Sequence, residues 1–410
     1  MINDINDVCF MDSETRRVKG ATILDVTKVG GYVYAQQAFP VMWTTAIGEA
    51  PVGLDALHDG FHERLSWEVD ASDDLKRFYD RAARGEAWFA AWNMQFDRLI
   101  WNGPESDYPP LEPYMCIDVM AQAAASGLPT KLVHAAEYLG AAKKLEEGKE
   151  LIKMFEPPEG MTPQSHPEHW ARYCEYGVRD TAVLREIYQM TRKLSRDEWE
   201  VYWASEAIND RGIALDRQLC AATSVLVDSN ETLMNRQIEA LTGGEVDRVT
   251  QVARILGWAE PVLRGRSAAI DPLIEKTEVL FEDGSVKRPE KLSLARERLE
   301  QVLVYFDAQD NLTPAEAAVR DVLELRQYGG SNTPKKFLKA LIAELGGRLR
   351  GQYVFNGAPQ TGRFSSRGVQ THNLTRSHLG DQEIEAIEAI LDIEDPRVDK
   401  RLKDTAAHVG

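Results

Sequence analysis

The sequence is short of cysteine, short of positive charge and without a long apolar run. Its four cysteines, Cys9, Cys116, Cys174 and Cys220, show no zinc-ligand spacing with each other or with histidine, which argues against a disulfide scaffold and the common zinc motifs. A reducing, cytoplasmic compartment fits. No stretch approaches the roughly 18 apolar residues of a membrane span, and the start, MINDINDVCFMDSE, has neither the basic segment nor the apolar core of a signal peptide. A formal charge of −17 speaks at first sight against a nucleic-acid partner, because phosphate contacts need Lys and Arg.

What is present is the composition of an ordinary globular chain, 43% hydrophobic and 28% charged, and at 410 residues long enough for two domains. The basic residues are unevenly spread. Between Arg326 and Arg376 stand Arg326, Lys335, Lys336, Lys339, Arg348, Arg350, Arg363, Arg367 and Arg376, against Glu344 alone. Taken by itself, this basic island reads as a solvated face.

The first part alternates strand and helix signals. VCFMDSET, GYVYAQQAF and PVMWTTAI are β-prone, and SDDLKRFYDRAARG has a Ser start and a Gly stop around a helical pattern leading into the apolar strand AWFAAWN. FDRLIW, LPTKLVHAAEYLG and PEHWARYCEYGVRDTAVLREIYQMTRKL follow as helices, with Pro-rich loops between them. An α/β domain over residues 1–195 results. Residues 196–410 read as mostly helical, with few strand signals before GRLRGQYVFNGAPQTGRFSS, and as ending in one helix and a charged tail.

Alternation along a strand puts Asp12 and Glu14 on one face at the end of the first strand. Two carboxylates so close call for hard divalent cations with oxygen ligands, Mg²⁺ or Mn²⁺. Asp97 follows a strand ending near Asn93, at the sheet edge where sites gather in α/β folds. Tyr176 and Asp180, four apart on a helix, share a face. Singly, each signal has a bland reading: Asn93 as a helix cap, Phe96 as a core residue, His166 and His169 as helix-start residues, and Trp88, Trp92 and Trp101 as core aromatics. Together, four carboxylates on strand ends and helices, with a Tyr four before the last, describe a two-metal phosphodiesterase site.

MDSET, NMQFD and YGVRD resemble the three motifs of the DEDDy 3′→5′ exonucleases that accompany family A, polymerase I-like DNA polymerases, here of phage type. The resemblance implies a ribonuclease H-like exonuclease domain, a mixed sheet with flanking helices, followed by a partial polymerase domain of thumb and early palm. It implies that Asp12, Glu14, Asp97 and Asp180 hold two Mg²⁺ or Mn²⁺ ions, that Tyr176 positions the water, that Asn93 and Phe96 hold the 3′-terminal nucleotide, and that Asp118 is either structural or a support behind the metal ligands. EAINDRGIALD, LELRQYGGSNTPKKFLKAL and GAPQTGRFSSRGVQTHNLTR resemble polymerase segments, the last one gripping primer-template duplex. By that likeness Arg326, Lys336, Thr361, Arg363, Ser365, Arg367, Asn373 and Arg376 contact DNA, and His372 replaces the family's usual glutamine.

The resemblance therefore implies proofreading hydrolysis of DNA, with a single-stranded 3′ end and a primer-template duplex as partners. It also implies that the palm aspartates and the fingers reside outside this chain, on a second polypeptide or a removed segment. A free-standing exonuclease and a non-catalytic DNA-binding subunit are the alternatives.

Overall fold

The computed structural model describes residues 4–21, 26–57, 61, 63–141, 147–276, 279–280, 286–287, 290–330, 334–358, 360–374, 380–392 and 394–406. The chain forms two compact units: Met1–Arg217, Lys339–His378 and Leu402–Gly410 make the first, Gln218–Leu338 and Leu379–Arg401 the second.

The first part runs β1 (Val8–Arg17), α1 (Val26–Val29), α2 (Gly31–Tyr34), β2 (Ala38–Ile47), β3 (Gly53–Ala56), α3 (Asp73–Ala83), β4 (Trp88–Ala91) and α4 (Met94–Trp101). It continues with β5 (Cys116–Asp118), α5 (Val119–Ala125), α6 (Leu132–Leu139), α7 (Gly148–Phe155), α8 (Pro167–Met190), α9 (Arg196–Arg211) and β6 (Ile213–Ala214). Next come α10 (Arg217–Leu241), α11 (Val252–Arg264), α12 (Ser267–Ile270), four short strands β7 to β10 (Ile274–Lys276, Val279–Leu280, Val286–Lys287, Glu290–Leu292), α13 (Arg296–Asp307), α14 (Pro314–Gly329) and α15 (Lys335–Ala343). The remainder is β11 (Glu344–Leu345), β12 (Arg348–Leu349), β13 (Tyr353–Ala358), β14 (Arg363–Ser366), α16 (Asp381–Leu391) and α17 (Pro396–Ala406).

A five-stranded mixed sheet, ordered β3-β2-β1-β4-β5, organises the first unit; β1 is antiparallel to β2 and parallel to β4. The central strand is covered on both faces. Cys9 and Met11 enter one hydrophobic core with Phe89 and Trp101, while Val8 and Phe10 enter the other with Val183, Leu184 and Ile187 of α8. That split follows from the two-residue period of a strand.

The units divide elsewhere than at residue 195, for a reason of packing. Trp199, Tyr202 and Trp203 of α9 belong to the core beneath β1, and β13 lies against α5 and α9. The second unit has its own core, in which Ile255, Leu263, Val302, Phe306, Val319 and Leu323 are buried. Three local expectations change. GYVY is the helix α2 and not a strand, because Gly30 turns the chain at φ 81 and the residues after it bury Tyr32, Val33 and Tyr34. The short strands β7 to β10 interrupt the helical part, and the C-terminal stretch holds two helices, the second opening on Pro396. Among the described residues no helix is long and apolar enough to cross a membrane.

Candidate active site

The site lies where β1 outruns its parallel neighbour. Pairing with β4 covers Val8, Cys9 and Phe10, and β4 stops at Ala91, so the Ser13 amide has no ladder partner on that side. Asp97 in the first turn of α4 supplies one: its Oδ1 accepts from Ser13 N at 3.0 Å and from Ser13 Oγ at 2.6 Å. The turn into α4 is made by Asn93 in the left-handed region, φ 63, which asparagine tolerates better than most residues. Asp118, ending β5, accepts on Oδ1 from Asn93 N at 3.1 Å and from Met120 N at 2.9 Å, tying the neighbouring strand end to the same corner.

On the other face, α8 lies against β1 and β2 through Gly177. A Cβ there would stand 3.1 Å from Met42 Sδ and 3.4 Å from Thr44 Cγ2, so the helix is seated close enough that even a methyl group would press on these side chains. Thr44 Oγ1 lies 2.6 Å from Thr181 Oγ1 at the same contact. Tyr176 and Asp180 are thereby turned toward Asp12 and Glu14. The Tyr176 phenol hydrogen-bonds to Asp180, and burial together with the charges of Asp180, Glu14 and Asp12 holds it protonated far above its usual range. Helix α7 closes on the same ring, since a Cβ on Gly148 would fall 2.1 Å from Tyr176 Cε2.

Burial also pushes Asp97 up to about 7, with Asp118 adding repulsion and the Ser13 bonds pulling back. Asp118 is raised to about 6 by burial and then by Glu206, against its two backbone N–H bonds and the charge of Arg367. A corner that concentrates buried acids at elevated pKa is short of positive charge.

The predicted acids thus arrive in two sets: Asp12, Glu14 and Asp180 around Tyr176, and Asp97 fastened to Ser13 between the other two β1 positions. Among the described residues no three His, Cys, Asp or Glu side chains close on one point as a ready ligand group. The donor chemistry nonetheless suits a hard divalent ion, because the set offers oxygen alone and carries excess negative charge. Ser13, Gly148 and Tyr173 were not anticipated. Only Tyr173 left a trace in the sequence, one helical turn before Tyr176; the others depend on strand lengths and on how α7 meets α8.

Helix α4 is clamped from behind. Arg98, 4% exposed, donates to both Asp210 carboxylate oxygens at 2.9 and 2.7 Å and approaches Glu206 at 3.4 Å, while Gln95 Nε2 donates to Glu206 at 3.0 and 3.2 Å. Beside α4 opens a cavity of about 270 Å³, lined by Asn93 and Phe96 together with Lys28, Lys339, Arg350 and Arg367. Among the described residues that line it, none is acidic.

The DNA-contact candidates separate. Arg367 turns to the α4 corner, its Nη2 donating to Asn93 Oδ1 at 3.0 Å. Thr361 and Arg363 are exposed at the turn and on β14, Ser365 is half-buried on β14, and Asn373 is exposed with Nδ2 3.4 Å from Gln370 Oε1. Arg326 and Lys336 are half-buried in the second unit, Arg326 donating to Val249 O at 3.4 Å, and Arg376 lies outside the described residues. Arg348 and Arg350 of the basic island meet the carbonyls ending α9: Arg348 binds those of Arg211 and Gly212 at 2.6 and 2.9 Å, and Arg350 that of Asp210. These two cap a helix C-terminus.

No family model matches the chain. A DNA polymerase of Bacillus phage SP02 is 26% identical over 275 residues, which is 63% of this chain and 37% of that protein. The chain thus matches well under half the length of that relative. Among solved structures, the POL domain of Pol1 from M. smegmatis, in complex with DNA primer-template and dNTP, aligns over 98% of this chain and 55% of its own, at 10% identity and a TM-score of 0.46.

Proposed function

We propose that the first unit is a DEDDy-type 3′→5′ exonuclease on a ribonuclease H-like fold, and that the chain is part of a phage-type family A DNA polymerase which it serves in proofreading. The observation that carries this is the carboxyl end of β1, with Asp12 and Glu14 turned to Tyr176 and Asp180 of α8 and Asp97 fixed on the intervening residue. The mixed sheet with the strand order β3-β2-β1-β4-β5 supports the fold, and the likeness to the phage SP02 DNA polymerase supports the setting.

Asp12, Glu14, Asp97 and Asp180 would hold Mg²⁺ or Mn²⁺, which when bound acidifies a water and stabilises the leaving 3′ oxygen. The chain's own side chains do the rest. Tyr176, kept protonated with its O–H given to Asp180, can accept a hydrogen bond from the attacking water and so orient it, but does not take its proton. Ser13 holds Asp97 in place, and the Arg98 clamp keeps α4 from shifting. The cation-lined cavity, with the Phe96 ring and the Asn93 amide, suits the phosphate and base of a single-stranded 3′ end. Thr361, Arg363, Ser365 and Asn373 offer donors to a duplex backbone.

Incubation of the chain with a 3′-labelled single strand in Mg²⁺ or Mn²⁺ is expected to release 5′-mononucleotides, and chelation is expected to stop it. Unchanged release in the Asp12→Ala variant would refute the assignment.

A further inference from the structure

We propose that Tyr173 is a positioning residue for Glu14, fixing the rotation of that carboxylate so that it is presented to a divalent cation. The inference rests on the exonuclease reading and adds to it a residue that none of the three motifs contains. Tyr173 Oη donates to Glu14 Oε2 at 2.7 Å. Its ring is fully buried, stacked on Phe155 at 5.3 Å with 11° between planes and on Tyr176 at 6.2 Å with 19°.

Both partners are constrained. The β1–β2 register shifts just after Glu14, where Val41 of β2 is the extra residue between Met42, paired with Glu14, and Pro40, paired with Thr15; the hydroxyl meets Glu14 at that irregularity. A phenol is protonated near neutral pH, and its hydroxyl is the donor in this bond because a carboxylate can only accept. Two phenols one helical turn apart then divide the work: Tyr173 holds Glu14, and Tyr176 reaches Asp180. A carboxylate left to rotate would lose freedom on binding a cation, whereas one already oriented loses little.

The test is direct Mn²⁺ binding to the whole chain, followed by the paramagnetic resonance of free Mn²⁺, beside 3′-nucleotide release. Tyr173→Phe keeps the ring and removes the donor; it is expected to weaken Mn²⁺ binding about 10-fold, as for outer partners of metal ligands, at unchanged circular dichroism. Phe155→Leu loosens the same ring stack without touching the bond to Glu14, and is expected to lower Tm while leaving Mn²⁺ affinity within about twofold of wild type. Equal Mn²⁺ affinity in Tyr173→Phe and wild type would overturn the proposal while leaving the exonuclease standing. An equal loss in Phe155→Leu would also overturn it, assigning the effect to packing. A wild-type chain that neither binds Mn²⁺ nor releases 3′ nucleotides would instead overturn the exonuclease and this inference together.

Discussion

At the carboxyl end of β1 the acidic side chains are buried and engaged: Glu14 with Tyr173, Asp97 with Ser13, and Asp180 with Tyr176. On the β13–β14 hairpin of the same unit, Thr361 and Arg363 stand exposed, and nearby Asn373 has one long side-chain bond. The difference reflects two physical tasks. A charge that must meet a reacting phosphate within a few tenths of an ångström is held by several partners, whereas a cation that only neutralises a passing phosphate works from solvent and at the end of a mobile side chain.

The largest effect should come from the buried end. Asp180→Ala is expected to lower 3′-nucleotide release by at least about 10³-fold while leaving duplex binding intact, measured by gel assay and by anisotropy on a labelled primer-template. Gly148→Ala, which inserts a methyl group into the Tyr176 ring, should lower release about 10²-fold through misplacement alone. If Gly148→Ala were as active as wild type, the rigidity assigned to this end would be wrong.

The exposed end should respond differently. Arg363→Ala is expected to weaken duplex binding several-fold and to flatten the slope of log K against log salt by about one unit, with release from a short single strand unchanged. Arg367→Ala should do the reverse, slowing release more than it weakens duplex binding, because that guanidinium holds Asn93.

The smallest effect concerns the pH dependence of stability. Asp118, raised to about 6, has a folded pKa above its unfolded value, so its contribution to stability is complete below pH ~4 and is lost as pH rises through 6. Asp118→Asn retains one oxygen for Asn93 N and Met120 N and removes the buried charge. It should therefore stabilise the metal-free chain by up to about 3 kcal/mol at pH 8 and by almost nothing at pH 4, read by thermal melts.

Legibility in the sequence follows the same division. Asp12 and Glu14 could be paired from the period of a strand, and Tyr176 with Asp180 from the period of a helix, because both are local rules. The Ser13–Asp97 bond could not, since it depends on β1 extending past the end of β4. Tyr173 could not be assigned because its bond to Glu14 spans 159 positions of chain and needs Gly177 to let α8 approach the sheet. The Val and Tyr content of GYVY favours a strand, while burial of Val33 and Tyr34 in the sheet's core goes with a helix. The basic island was legible as a cluster. That Arg348 and Arg350 end a helix and Arg367 binds Asn93 required tertiary structure.

The account's central claim is that the acids on the two sides of β1 act as one catalytic unit. The direct measurement is a double-mutant cycle on Mg²⁺-dependent 3′-nucleotide release with Asp12→Ala, Asp97→Ala and the pair. If the claim holds, each single change abolishes nearly all release and the pair loses almost nothing more. Losses that multiply, or a single variant within about twofold of wild type, would contradict it.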